Sequence, residues 1–381
     1  MTFQAFRLDP VELPPEAHNL RLEVRDFLDA HRDVLEPIRG GRDKAFSRDM
    51  AERGWIGMTW PRKYGGHERS ALERYVLIEE MLAAGAPLGF HYTADRQSGP
   101  NILRFGTEAQ RERFIPAITR AEISFCIGMS EPGSGSDLAG TRTRAVKVDG
   151  GYRVNGSKLW TSNAHQSDWM ILFCKMAREG EETDRHAGAT QFLVDLKSPG
   201  IEIRPVLNLL GEHHFNEVFL TDLFVPEGCL LGEEGSGWKQ VTSELGFERS
   251  APDRFLVLFK LLKEMVRVAG PNPDRATAAA IGRMVAQLAT LRRMSLSIAG
   301  MLQAGEQPLN EAAVVKDLGT RYEQDLPIVA RNLFPNEPDI ESADAFVALL
   351  ASAIMNAPRL SIQGGTREIL RGIIARGLGL R

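Results

Sequence analysis

Cysteine is scarce in this chain. Only Cys126, Cys174 and Cys229 occur in 381 residues, and none belongs to a Cys-x-x-Cys pair. The expected setting is therefore a reduced, cytoplasmic interior in which the thiols are packing groups. Long apolar runs are also missing: no stretch of about 18 uncharged apolar residues occurs, so no membrane span is expected. The opening M-T-F-Q-A-F-R-L-D-P-V-E-L-P-P-E has no apolar core of signal length and already carries acids, which argues against secretory or organellar targeting. A formal charge of -4 with 25% charged residues leaves no electrostatic footprint for nucleic acid or an anionic membrane. Repeats and low-complexity tracts are absent. His213 and His214 are adjacent, so their side chains do not converge, and no Cys/His set lies near them; no metal is expected. Gly133, Gly135 and Gly140 have no β-α-β unit around them and are not a dinucleotide fingerprint, and there is no G-x-S-x-G elbow.

What is present divides into three blocks. The length calls for two or three units, and 43% hydrophobic residues can supply a large interior. From about Glu16 to Arg120 the apolar spacing is helical, as in Leu20, Val24, Phe27 and Leu28, with breakers at W-P-R-K-Y-G-G, Gly85 to Pro87 and S-G-P-N. After Ala121 come short segments rich in β-branched and aromatic residues: 124–129, 142–148, 151–155, 169–176, 190–196, 201–206 and 217–223. Asp149-Gly150-Gly151 is a hairpin signal, and Ser198-Pro199-Gly200 a further turn. From Gly235 amphipathic helices return over 238–268, 276–302, 311–333 and 342–356. The expected fold class is α+β multidomain: an N-terminal helical domain (1–121), a central β-sandwich or barrel-like domain (122–232) and a C-terminal helical bundle (233–381).

Within the β block, Cys126 to Gly140 reads C-I-G-M-S-E-P-G-S-G-S-D-L-A-G. A strand-like run delivers a loop of glycine, serine and Pro132, which offers backbone N–H groups and hydroxyls to a polar ligand; a surface turn would look similar. Glu131 and Asp137 suit bracing of that loop by charge-assisted hydrogen bonds better than acid-base work. Further on, G-S-K-L-W-T-S-N-A places small hydroxyls beside Trp160. Two such strand ends can cradle a planar heteroaromatic, a flavin being the obvious guest; a core tryptophan beside a turn is the other reading.

Taken with the α-β-α order, M-S-E-P-G-S-G-S-D-L-A-G, W-T-S-N and the ending G-G-T-R-E-I-L-R-G-I-I-A-R make the sequence resemble the acyl-CoA dehydrogenase family over nearly its whole length. The resemblance implies FAD as cofactor and an acyl-CoA thioester as substrate. It puts Met129 and Ser130 at the pyrimidine edge of FAD, beside N1 and O2, and Trp160 and Ser162 over the isoalloxazine and at N5. It gives Ser136 to the pantetheine and Thr366 and Glu368 to the adenosine half of FAD. The implied reaction, a step of fatty-acid β-oxidation type, removes the α-proton with a carboxylate while a hydride leaves the β-carbon for the flavin, giving the trans-2-enoyl-CoA. Electron-transfer flavoprotein is the implied electron acceptor, and a homo- or hetero-oligomer the implied assembly.

In many members the base is the glutamate immediately before G-T of the last signature, but here Ile362-Gln363-Gly364-Gly365-Thr366 puts glycine there. Gly364 cannot take a proton, though its N–H can still polarise the thioester carbonyl. A subset of the family carries its glutamate before an arginine on the helix that opens the C-terminal domain, which here gives Glu248 as base and Arg249 as a substrate-positioning residue. Pro252 is expected to kink that helix at Glu248; a solvated face bearing Glu244 and Glu248 is the alternative. The R-x-x-F-G run with which many members grip FAD across a subunit interface is replaced by A-G-P-N-P-D-R-A. Three readings stay open: an active dehydrogenase using Glu248, a catalytically silent partner subunit of a heteromeric enzyme, and a flavin oxidase or monooxygenase on the same fold.

Overall fold

Helices, strands and helices follow one another along the chain in that order. The computed structural model describes residues 6–35, 41–177, 184–249 and 251–380, and for 244–248 the backbone alone. The first block holds α1 (Pro15–Ala30), α2 (Lys44–Glu52), α3 (Ala71–Ala84), α4 (Gly99–Phe105) and α5 (Glu108–Thr119). The second holds β1 (Phe125–Gly128), β2 (Arg144–Val148), β3 (Gly151–Lys158), β4 (Trp169–Met176), β5 (Ala189–Asp195), β6 (Ile201–Leu207), β7 (His213–Pro226) and β8 (Leu230–Leu231). The third holds α6 (Gly237–Glu248), α7 (Phe259–Ala269), α8 (Arg275–Gln303), α9 (Leu309–Leu333), α10 (Ala345–Leu360) and α11 (Arg367–Gly377). No helix among the described residues is long and apolar enough to cross a membrane.

Local chemistry accounts for several of the boundaries. Ser70 with Glu73 and Thr107 with Gln110 form reciprocal capping boxes at the starts of α3 and α5. The second box splits the helical spacing expected to run on from the S-G-P-N breaker to Arg120, because Gly106 ends α4 before Thr107 opens α5. A larger correction concerns 238–268, read above as one helix kinked at Glu248. The helix stops at Glu248, and Pro252, which has no N–H to continue the ladder, opens a 3-10 turn, Pro252–Arg254, ahead of α7.

Seven strands occur where the sequence placed them, and the two-residue β8 joins β5 through Gln191↔Leu231. The sheet runs β6-β7-β3-β2-β4-β5-β8, with β1 on β4. Pairs β1/β4 and β2/β4 are parallel and the others antiparallel. Gly150, at φ +72°, turns the β2–β3 hairpin. Cys126 and Cys174 are packing groups in the sheet core beside Tyr152, Met170, Leu172 and Phe192. Burial pushes the Cys174 thiol up to about 12, which leaves it unreactive.

By contacts the chain forms two compact units, one of 1–42, 69–88 and 245–381, the other of 43–68 and 89–244. The division falls inside α6. The second unit contains the sheet with α2, α4 and α5. The first contains α1, α3 and α7 to α11, and its core packs Leu258, Leu261 and Met265 against Leu326, Phe346 and Leu350. In this unit α3 is tied on both sides through buried Glu79, which accepts from Arg21 of α1 at 3.0 Å and from Arg292 of α8 at 2.5 and 2.9 Å. Glu79→Ala would leave both guanidinium groups short of a partner, and the expected loss is about 2–3 kcal/mol. Urea unfolding followed by helical circular dichroism measures it.

Candidate functional site

In the sheet unit, the loop after β1 and the loop after β3 are fastened to each other. Leu159 N–H donates to the Ser130 carbonyl at 2.8 Å, and Lys158 Nζ donates to the Met129 carbonyl at 3.2 Å. Lys158 also pairs with Glu131 at 2.7 Å, with both side chains almost fully buried. Glu131 further accepts from Arg142 N–H at 2.6 Å, from Thr143 N–H at 3.0 Å and from the Thr143 hydroxyl at 2.6 Å. Burial alone would raise the Glu131 carboxyl; the Lys158 charge and these donors outweigh it and hold the group below the usual carboxylate range. Burial depresses Lys158 below its ordinary value. The loop closes on itself through paired Glu131 and Ser134 backbones, and Asp137 braces it by an exposed ion pair to Arg185. Ser136 stands exposed on that loop.

The second loop is strained. Trp160 has φ +62° and Asn163 φ +57°, left-handed backbone that a bulky side chain rarely adopts. Cross-links to β7 impose it: Thr161 and Asn216 exchange both backbone hydrogen bonds, and Asn163 N–H donates to the His214 carbonyl. The buried Asn216 amide donates to the Thr161 carbonyl at 2.9 Å, while its Oδ1 lies 3.1 Å from His165 Nδ1 and 2.7 Å from His213 Nε2. Those two imidazoles stack at 3.7 Å, which makes His213 a brace within the sheet unit. Held this way, the Trp160 indole is 55% exposed and meets Phe215 edge to face. Ser162, two residues on, is half-buried.

A large ring kept exposed at the cost of backbone strain, beside half-buried Met129 and Ser130, fits a planar heteroaromatic ligand. The structure thus brings Met129, Ser130 and Trp160 together. The supports Lys158 and Asn216 were not found from the sequence. Lys158 sits inside G-S-K-L-W, where a basic residue ending a strand carries no special signal, and the Asn216 contact spans 55 residues.

In the helical unit, Arg249 follows the last residue of α6 and is buried; its Nε donates to the Gly364 carbonyl at 3.1 Å. Gly364 and Gly365 have φ of +76° and +105°, and a Cβ on Gly365 would come within 3.4 Å of Arg249 Nη2. Among the described residues nothing accepts from the Gly364 N–H. Thr366 stands at the N-cap position of α11 without a side-chain cap bond, and exposed Glu368 lies in the first turn. Its own N–H and the Thr366 hydroxyl lower the Glu368 carboxyl. The Glu248 side chain, like that of Glu244, lies outside the described residues. No group of three or more His, Cys, Asp or Glu that could hold a metal ion occurs among them.

Three domain models cover most of the chain: acyl-CoA dehydrogenase N-terminal domain over residues 14–122, middle domain over 126–223 and C-terminal domain over 235–379. Acyl-CoA dehydrogenase IpdE1 of Mycobacterium tuberculosis is 34% identical over 88% of each chain. This chain belongs to the acyl-CoA dehydrogenase family. The family is one of FAD-binding oxidoreductases, and the exposed ring and loops of the sheet unit are the candidate place for that cofactor. Acyl-CoA dehydrogenase FadE34 of the same organism is 35% identical over 87% of this chain, which spans 45% of that relative. Among solved structures, the steroid ACAD Tcur3481-Tcur3483 matches with a TM-score of 0.86 at 27% identity, over 97% of this chain and 99% of that one.

Two outcomes follow from this geometry. Lys158→Met leaves the buried Glu131 carboxylate without its cation, and the expected cost is about 3–5 kcal/mol with reduced FAD retention. Because the Glu131 carboxyl is lower when folded, its stabilisation is present above its ordinary 4.5 and is lost as pH falls through the depressed value. The variant should therefore release FAD at higher pH than wild type in an acid titration followed by flavin fluorescence. Gly364→Ala forces a Cβ into left-handed backbone, with an expected loss of about 1–2 kcal/mol in thermal unfolding.

Proposed function

We propose that this protein catalyses α,β-dehydrogenation of an acyl-CoA thioester to the trans-2-enoyl-CoA, with Glu248 as the α-proton base. The observation that carries the assignment is the Arg249–Gly364 hydrogen bond. It joins the residue after Glu248 to the residue whose uncommitted N–H suits a thioester carbonyl. Donation from the Gly364 N–H stabilises the enolate-like charge that grows on that carbonyl as the α-proton leaves. Glu248 accepts the proton, and desolvation by the acyl chain raises its carboxyl toward the working pH. Arg249 positions substrate by fixing the orientation of Gly364.

Bound FAD would supply the hydride acceptor. Met129 and Ser130 would hold its pyrimidine edge, Trp160 and Ser162 would serve the isoalloxazine, and Thr366 and Glu368 would serve the adenosine half. Ser136 contacts the pantetheine, and electron-transfer flavoprotein is the class of acceptor that reoxidises the enzyme.

A second reading, one of two unlike subunits, is favoured by one observation. Where many members carry R-x-x-F-G, residues 269–276 read A-G-P-N-P-D-R-A, and the structure has a turn there between α7 and α8, with Gly270 at φ +68°. The Tcur3481-Tcur3483 name likewise pairs two proteins. The purified chain should be yellow, and its flavin band should bleach without oxygen on adding a matched thioester from a panel of straight, branched and steroid side-chain acyl groups. Glu248→Gln should slow bleaching by about 10²–10⁴. Equal bleaching in both removes Glu248 as base. A colourless chain that gains flavin only with a second gene product replaces the first reading by the second.

A further inference from the structure

The proposed reaction leaves three groups of the helical unit unexplained: a lysine, a threonine and a glutamate, all buried on one face of α9. Lys316, Thr320 and Glu323 are 1–2% exposed. Their spacing of four and three, with Gly319 between, puts them on one side of the helix. A lysine and a glutamate in such a place cost more than the apolar residues that could fill it, and burial pushes the Glu323 carboxyl up to about 7, so a purpose other than packing is indicated.

Each reaches a specific backbone group. Glu323 Oε1 accepts from Val257 N–H at 2.6 Å and Leu258 N–H at 3.4 Å, in the segment that leads from the Pro252–Arg254 turn into α7. Gly319 lets that turn lie against the helix, since a Cβ there would stand 2.4 Å from the Arg254 carbonyl oxygen. Lys316 Nζ donates to the Leu360 carbonyl at 2.7 Å and the Thr320 hydroxyl at 2.6 Å. Leu360 ends α10, where a carbonyl lacks a helical partner and a cation meets the negative end of the helix dipole. One position along from Lys316, Asp317 accepts from Arg367 Nε at 2.7 Å, at the first residue of α11.

We propose that α9 is a clamp on the reaction geometry, with Lys316 and Glu323 as positioning residues. Glu323 and Gly319 fix the chain at 254–258, five to nine residues after Arg249. Lys316, Thr320 and Asp317 fix both ends of the loop 361–366. The Arg249–Gly364 hydrogen bond lies between these anchors, so its length and direction follow from them. The functional half of this assignment rests on the reading of Glu248 and Gly364 given above.

The test uses the FAD-loaded full chain and two readouts. In hydrogen-deuterium exchange, Glu323→Leu should raise exchange in peptides covering 251–258 and leave 360–367 near wild type, and Lys316→Met should do the reverse. In anaerobic reduction by a saturating thioester, both variants should slow reduction by about tenfold or more through misplacement, with flavin content and thioester Kd little changed. Glu323→Gln keeps the carbonyl acceptor and should restore both readouts. Thr320→Val is the milder substitute should Lys316→Met not fold, with the same segment loosened to a smaller degree. Unchanged exchange in both segments overturns the clamp; loosened segments with wild-type reduction overturn the positioning role. A wild type that no thioester reduces removes the reaction and the positioning role together, and exchange alone then decides whether the clamp exists.

Discussion

The Lys158–Glu131 pair holds the sheet unit's site in shape. A buried ion pair of this kind contributes little net stability, because desolvating both ions costs about as much as their attraction returns. Its effect is on geometry. Glu131 fixes the start of β2 through the Thr143 and Arg142 amides, and Lys158 fixes the Met129 carbonyl at the end of β1. Ser130 and Leu159 are then brought within hydrogen-bond distance. Without the pair, the Leu159–Ser130 backbone bond would remain to join the two strand ends.

The same logic explains why strain can persist in the next loop. A left-handed tryptophan would relax if it were held only locally. Asn216 prevents this by closing the Thr161 ladder with its backbone and the Thr161 carbonyl with its side chain. The stacked His165 and His213 rings stand over its remaining acceptor. Strain is thus balanced by a long-range network, and the exposed indole is the product.

How much of this was readable in advance follows from the range of the interactions. Strand β4 was bounded correctly at Trp169 and Met176 because a run of β-branched and aromatic residues between breakers is a local signal. Glu131 was legible as a brace because it sits inside a donor-rich loop. The break at Gly106 is hidden inside a continuous apolar pattern, and a single proline permits either the expected kink at Glu248 or the observed stop. Lys158 and Asn216 depend on partners 27 and 55 residues away, which no period in the sequence announces. The α9 stripe was hidden for the same reason: Lys316 and Glu323 look like ordinary charged positions until the segments around 257 and 360 are folded against them.

Glycine at 364 then takes on a structural meaning beyond the loss of a base. On a single residue, a carboxylate base and an N–H donor share one φ, and a left-handed φ of +76° would strain any side chain that carried the carboxylate. Assigning the proton to Glu248 frees residue 364 to be glycine. Its carbonyl can then be tied down by Arg249 while its N–H stays uncommitted. On the proposed reading, the base and the carbonyl donor come from two different segments, and their alignment would have to be enforced by something that touches both. Helix α9 bonds to one segment at Val257 and to the other at Leu360. On that reading, burying a lysine and a glutamate on that helix is the stability cost of separating the two roles.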